Sequence, residues 1–348
     1  MHLLPMNESE SNNLAFCLSE YLANEYQLNI NEYSCFILGS LLGLQLFPKR
    51  QTIFTKNINW NNIDNYYLES LNPMSIESFC STFNALLRID QNNNYNDIKW
   101  IEYDFYTFKR KTLVTISHSI LNMGNEHFSH HPLYALIHIE DELHSGFDFD
   151  IMNNKTVIVS YAKNQTLLIK VDKFLKYWGV KNNEVFNTNR YVIIPPCYRN
   201  LKINMPALFK DALIKQYLVL ATGQDHRGVD LIINLKKNLK NNLSEDNFSK
   251  HINLIKYSYD RDKSLNIHRM NRNYFSNCLK MLYMDNLINN DKIINSFMES
   301  GEAWSLYFCQ LSDSKNICRG ELLDAYDYLI EKEYTAVNSL KNLVNKWL

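Results

Sequence analysis

The chain has 348 residues, a formal net charge of −1, and apolar side chains at 46% of its positions. This near-neutral balance excludes the basic footprint of a nucleic-acid binder, and a chain this long buries enough surface to fold without disulfides or metals. Only nine glycines occur, with no G-x-G-x-x-G run and no P-loop, which excludes the common nucleotide-binding folds.

The first predicted element is an amphipathic helix over 13–27, where Leu14, Leu18, Tyr21, Leu22 and Tyr26 recur at helical spacing. Asn12 or Asn13 caps it. A short helix around 31–38 follows, then an apolar segment containing Gly39 and Gly43. Residues 57–72 are polar and Asn-rich. A further helix is expected over 75–88, with Ser75 after Pro73 and Glu77 in its first turn. From Trp100 the pattern changes to alternating β-rich runs up to about residue 172, expected to form one antiparallel sheet. A helix at 172–179 closes the sheet, and a strand precedes the Pro195-Pro196 break. Helical periodicity then covers 206–222, 228–242, 271–288, 290–299, 301–312 and 319–346. The fold class is α+β, with a domain of residues 1–200 and a helical domain of residues 201–348. Lys236, Lys237 and Lys240 read as a solvated helix face.

Seven cysteines are present: Cys17, Cys35, Cys80, Cys197, Cys278, Cys309 and Cys318. The number is odd and no C-x-x-C pair occurs, against a disulfide framework or a cysteine zinc site. The apolar-rich run at 36–47 is shorter than the roughly 20 residues that span a bilayer. Residues 1–13 lack a basic n-region. A soluble cytoplasmic protein with neither nucleic acid nor membrane as partner is expected, holding no metal and no bound cofactor.

A cysteine nucleophile needs a lowered thiol pKa, a nearby base, and a group that orients the base. A helix N-terminus serves the first need and offers N–H groups to an oxyanion. Cys17 lies near the start of the first helix, although it also falls beside the apolar Leu14–Leu18–Tyr21 face. Cys35, within an apolar turn, reads as core. Five histidines lie together: His127, His130, His131, His138 and His144. They show no H-E-x-x-H motif. His131 precedes a strand and is the candidate base, His138 lies within that strand as a core histidine, and His130 is a further alternative. Asp148 and Asp150 share one face of the next strand, and one of them is placed to orient the base.

Three stretches, "NNLAFCLSEYLANEYQLNINEYSCFILGSLLGLQL", "WIEYDFYTFKR" and "HIED", resemble the butirosin-biosynthesis-type aminoacyltransferases, a papain-like family with a C-terminal helical domain. In that family a Cys starts a helix, and an acidic E-x-x-x-F and a Gly-rich apolar segment follow. Cys17, Glu32, Phe36, Gly39 and Gly43 match these positions. The helices from Ile267 onward are similar to the family's second domain. The resemblance implies a Cys17–His131–Asp148 or Asp150 triad, with Asn12 or Asn13 as accessory oxyanion donors. It implies acyl transfer from a phosphopantetheine thioester on an acyl carrier protein to the amine of a small acceptor, in secondary-metabolite biosynthesis. The helical domain then walls the acceptor pocket; Tyr274, Phe275, Trp304 and Tyr307 read chiefly as its core. His138 replaces the family's strand glycine, and counting back from it reaches Pro132; a bulge at Pro132 brings His131 into the base position. Two alternatives accompany acyl transfer. One is a cysteine peptidase, amidase or thioesterase on the same fold, and the other a catalytically degenerate binding or scaffold protein.

Overall fold

The computed structural model describes residues 12–49, 58–71, 78–79, 82, 88–89, 112–117, 132–139, 156–162, 165–170, 174, 190–192, 204–221, 227–264, 269–313 and 317–347. In chain order the elements are α1 (Asn13–Tyr26), α2 (Glu32–Leu38), β1 (Leu42–Pro48), β2 (Tyr66–Leu71), β3 (Arg88–Ile89), β4 (Thr112–Ser117), β5 (Pro132–Ile139), β6 (Thr156–Ala162), β7 (Gln165–Lys170) and β8 (Arg190–Val192). Six helices follow: α3 (Met205–Ala221), α4 (Gly228–Asn241), α5 (Glu245–Ser264), α6 (Arg272–Met284), α7 (Lys292–Asp313) and α8 (Arg319–Val344). The mixed, mainly helical composition with small antiparallel sheets agrees with the α+β expectation.

Contacts divide the chain into two compact units. One combines Ser11–Cys35 with Phe79–Lys202; the other combines Phe36–Ser78 with Ile203–Leu348. The division falls within α2.

In the first unit, α1 begins at Asn12, whose side chain accepts from Ala15 N–H at 3.0 Å. It buries Leu14, Leu18, Tyr21 and Leu22, and stops where Gln27 turns left-handed at φ 56. Asn31 opens α2 by accepting from Ser34 N–H. The sheet has the order β3-β8-β4-β5-β6-β7, with each neighbouring pair antiparallel. Ala135, Ile137, Val157, Val159 and Ile169 form one buried face; on the other, Leu113 and Leu136 are buried and His138 stands beside Ile158. The pairing of β4 with β5 is unbroken from Thr112↔Ile137 to Ser117↔Pro132. Pro132 thus keeps the register of the strand it opens, and no bulge interrupts the pairing among the described residues.

The second unit packs the β1–β2 hairpin among the six later helices. Leu44, Leu46 and Leu68 join Leu231 and Leu235 of α4, Leu254 of α5, Trp304 and Phe308 of α7, and Tyr326 of α8. Tyr274, Phe275, Trp304 and Tyr307 are all core. Gln216 of α3 pairs with the Leu42 backbone as a strand neighbour does: it accepts from the N–H at 3.1 Å and donates to the carbonyl at 2.6 Å. Arg272 is fully buried and binds the Glu333 carboxylate through Nε and Nη2 at 2.8 and 2.9 Å. Its Nη1 donates to the Gly43 and Met270 carbonyls. Burial alone raises the Glu333 carboxyl, but Arg272, Ser300 and Trp304 hold it below its ordinary value. His251 is also sealed, between Asn238 Oδ1 at 2.8 Å and Tyr326 Oη at 3.2 Å.

Three local expectations are corrected. Residues 290–299 and 301–312 belong to one helix, α7, which runs through Gly301. The polar stretch 57–72 contains β2, and α5 was not anticipated. The helix expected over 75–88 stops short of Arg88, which is in β3.

Candidate functional site

The candidate site is built where α1 meets β5 and β6. The β5–β6 ladder runs from Ile139↔Val157 to Leu136↔Ser160. Continued in register it would place Tyr134 opposite Ala162, but the strands part before that point. The Asn13 side chain fills the fork. Its Nδ2 donates to the Tyr134 carbonyl at 2.8 Å and to the Tyr161 carbonyl at 2.6 Å. Its Oδ1 accepts from Tyr134 N–H at 2.9 Å. The amide thus takes the place of β6 beside Tyr134, opposite its β4 neighbour Thr115, and it satisfies backbone groups that are costly to leave bare.

Cys17 lies one turn further along the same helix. Its thiol donates to the Tyr134 carbonyl, with Sγ 3.4 Å from the oxygen. That carbonyl therefore accepts from both Asn13 and Cys17. The Cys17 side chain is completely buried. Burial pushes its thiol pKa up, and the carboxylates of Glu32 and, more weakly, Glu20 push it further. A backbone hydrogen bond with Leu136 pulls the other way without offsetting them. At neutral pH Cys17 is a protonated hydrogen-bond donor. Cys35 is sealed in the same way, its thiol raised by burial and by Glu32.

Position along the helix matters as much as burial. Asn13 is the first residue of α1 and Cys17 the fifth. Only the first four N–H groups of an α-helix lack an intrahelical acceptor, so the Cys17 N–H belongs to the helix ladder. Phe16 N–H goes to the Asn12 carbonyl at 2.9 Å, and Ala15 N–H goes to the Asn12 side chain. The N–H groups that the helix leaves over are those of Asn13 and Leu14, a full turn from the thiol. Asn12 is a cap through its Oδ1, and Asn13 is a clamp whose Oδ1 and Nδ2 both bind backbone partners.

His131, Asp148 and Asp150 lie outside the described residues, as do His127, His130 and His144. His138 is half-buried within β5. Among the described residues, no three His, Cys, Asp or Glu side chains are grouped as a metal ion requires, and no helix is long and apolar enough to cross a membrane. The partners of Asn13 carry no sequence signal, because they are backbone atoms 121 and 148 residues away. No protein-family model matches the chain, and no curated protein matches it.

Proposed function

We propose that this chain is a non-catalytic binding protein on a papain-like aminoacyltransferase frame, one that recognises an acyl-carrier arm or a small amine without forming an acyl-enzyme at Cys17. The observation that carries this is the exchange of places at the mouth of α1. The helix start, where free N–H groups serve a nucleophile and its oxyanion, is held by Asn13. An amide locked to Tyr134 and Tyr161 has no nucleophilic role. The thiol a turn below is neutral, sealed and hydrogen-bonded as a donor.

Acyl transfer is the second reading, favoured by one specific contact. The Cys17 thiol is tied to Tyr134, three residues after His131 in sequence. In this mechanism a base removes the Cys17 proton as sulfur attacks the thioester carbonyl. The C–S bond to the carrier breaks, and the carrier thiol leaves with a proton. An amine then attacks the Cys17 acyl carbon, releasing an amide and restoring the thiol. With water as the second nucleophile the same steps describe a hydrolase.

Intact-protein mass spectrometry separates these readings. The full chain is incubated with aminoacyl-pantetheine thioesters at neutral pH, with binding followed by ligand-observed NMR. Saturable binding with no mass increase supports the binding protein. An acyl-sized mass increase that disappears in Cys17→Ala overturns it and establishes acyl-enzyme chemistry, and added amines then distinguish transfer from hydrolysis.

A further inference from the structure

The second unit holds a cleft built from three helix ends. Just past α6, Asn286 takes a left-handed conformation at φ 57. The chain doubles back there, and the Leu282 carbonyl accepts from the N–H groups of Leu287 and Ile288 at 2.9 and 3.3 Å. This fold-back sets Leu287 and Ile288 in the cleft wall beside Leu282. Just past α8, a turn closed from Trp347 N–H to the Val344 carbonyl at 2.9 Å brings Trp347 into the same wall. The first half of α3 supplies Phe209, Lys210 and Leu213.

The cleft has a volume of about 200 Å³, and its lining side chains are apolar apart from Lys210 and Asn286. Phe209, Leu213, Leu282 and Ile288 are buried, whereas Lys210 and Asn286 are exposed. The floor is therefore apolar and the rim polar, as in small-molecule sites generally. A cavity of about 150 Å³ lined by Leu, Ile and Phe holds benzene. This cleft has room for one such ring and a short arm, roughly ten non-hydrogen atoms. Lys210 decides the charge of that arm. It makes no ion pair with any described residue, and its Nζ lies 5.8 Å from the centre of the Trp347 ring. No acidic side chain is among the residues that line the cleft, so an anion at the rim meets a cation and no like charge.

We propose that this cleft binds a small aryl carboxylate, with its ring among Phe209, Leu213, Leu282 and Trp347 and its carboxylate toward Lys210 Nζ. The second unit forms the site by itself. Neither the site nor its test depends on the fate of Cys17.

The full chain is titrated with phenylacetate, phenylacetamide and phenethylamine, three ligands of similar size and different charge, using saturation-transfer NMR and tryptophan fluorescence. Phenylacetate binds saturably, with a Kd on the order of 1 mM or below. It binds about fivefold more tightly than the amide, the upper range for a solvent-facing ion pair, and the amine binds most weakly. Added salt shrinks the preference. Lys210→Met lowers the acid to the affinity of the amide and leaves the amide unchanged, while Lys210→Arg keeps the preference; the exposed position lets both variants fold. Trp347→Leu weakens acid and amide together. The proposal is overturned if phenylacetate does not saturate, if the amide or the amine matches it, or if Lys210→Met binds it as wild type does. It is overturned as well if Trp347→Leu leaves acid binding unchanged, since the anion then meets Lys210 outside the cleft.

Discussion

Replacement of Asn13 tests the fork between β5 and β6 directly. Asn13→Ala removes hydrogen bonds of 2.8, 2.6 and 2.9 Å. Cys17 still serves the Tyr134 carbonyl, but the Tyr134 N–H and the Tyr161 carbonyl lose this partner. At about 1 kcal/mol for each bond, the local cost is about 3 kcal/mol, more where a buried N–H is left bare. Asn13→Asp is nearly isosteric and keeps an acceptor for Tyr134 N–H. Its second oxygen, however, faces two carbonyls and repels them while the carboxyl is ionised. Asp is therefore at least as damaging as Ala at neutral pH, and recovers as acid protonates the carboxyl and restores a donor. Hydrogen exchange followed at the Tyr134 amide reports this without requiring that the chain unfold in one step. A loss of about 3 kcal/mol appears as roughly a hundredfold faster exchange in β5. Exchange within about threefold of wild type in both variants refutes the clamp.

Native protein treated with iodoacetamide at pH 8 is expected to alkylate at exposed Cys309 and Cys318, while Cys17 and Cys35 react only after denaturation; mass mapping of the labelled sites checks this. Arg272→Met strands the buried Glu333 charge and is expected to cost about 3–5 kcal/mol of stability, whereas Arg272→Met with Glu333→Leu recovers most of it; urea melts of the single and double variants give the comparison. Burial and the charge of Arg319 push the His251 pKa down to about 4. The folded value lies below the unfolded one, near 6.5, so the unfolded chain binds the proton first. Stability is fully present above pH 6.5 and falls, on the order of 3 kcal/mol, as pH drops from 6.5 to 4. A pH series of denaturation midpoints shows this decline, and His251→Phe flattens it if the variant folds.

Elements with dense periodicity were readable from the residues alone. Leu14, Leu18 and Leu22 mark α1, and Leu322, Leu329 and Leu340 mark α8; in both cases these positions are buried. The alternation in β4 to β7 likewise announced an antiparallel sheet. Elements with sparse apolar content were hidden. In α5, Phe248, Ile252, Leu254, Ile255 and Tyr259 are scattered among Asn, Ser, Lys and Asp, and they pack into a cluster that the β1–β2 hairpin shares with α4, α7 and α8. Gly301 looked like a break between two helices, yet it serves close approach. A Cβ at that position would meet Asn273 Oδ1 at 2.2 Å and Arg272 Cβ at 3.2 Å. At the candidate site, two successive asparagines were equally good caps on paper. Their separate roles are fixed by where the β5–β6 ladder ends, a property of strands over a hundred residues away. The depth of Cys17 in the helix follows from the same division of labour: once Asn12 is the cap, Asn13 is the first residue and Cys17 the fifth.

The division of the chain into interleaved units has a consequence for biosynthesis. The β1–β2 hairpin is translated early, but the partners of its apolar face, among them Trp304 and Tyr326, come from the last helices. At about 5–20 residues per second, Leu44 and Leu46 wait roughly 15–60 s after leaving the ribosome for α8 to be made. Until then a two-stranded ribbon with one greasy side stays open to the wrong contacts, since an isolated hairpin is only marginally stable in water. The Arg272 side chain cannot complete its contacts until Glu333 is made, 290 residues after its acceptor at Gly43. Nascent chains stalled before residue 333 are thus expected to recruit chaperones at the hairpin, and full-length chains released from the ribosome to shed them.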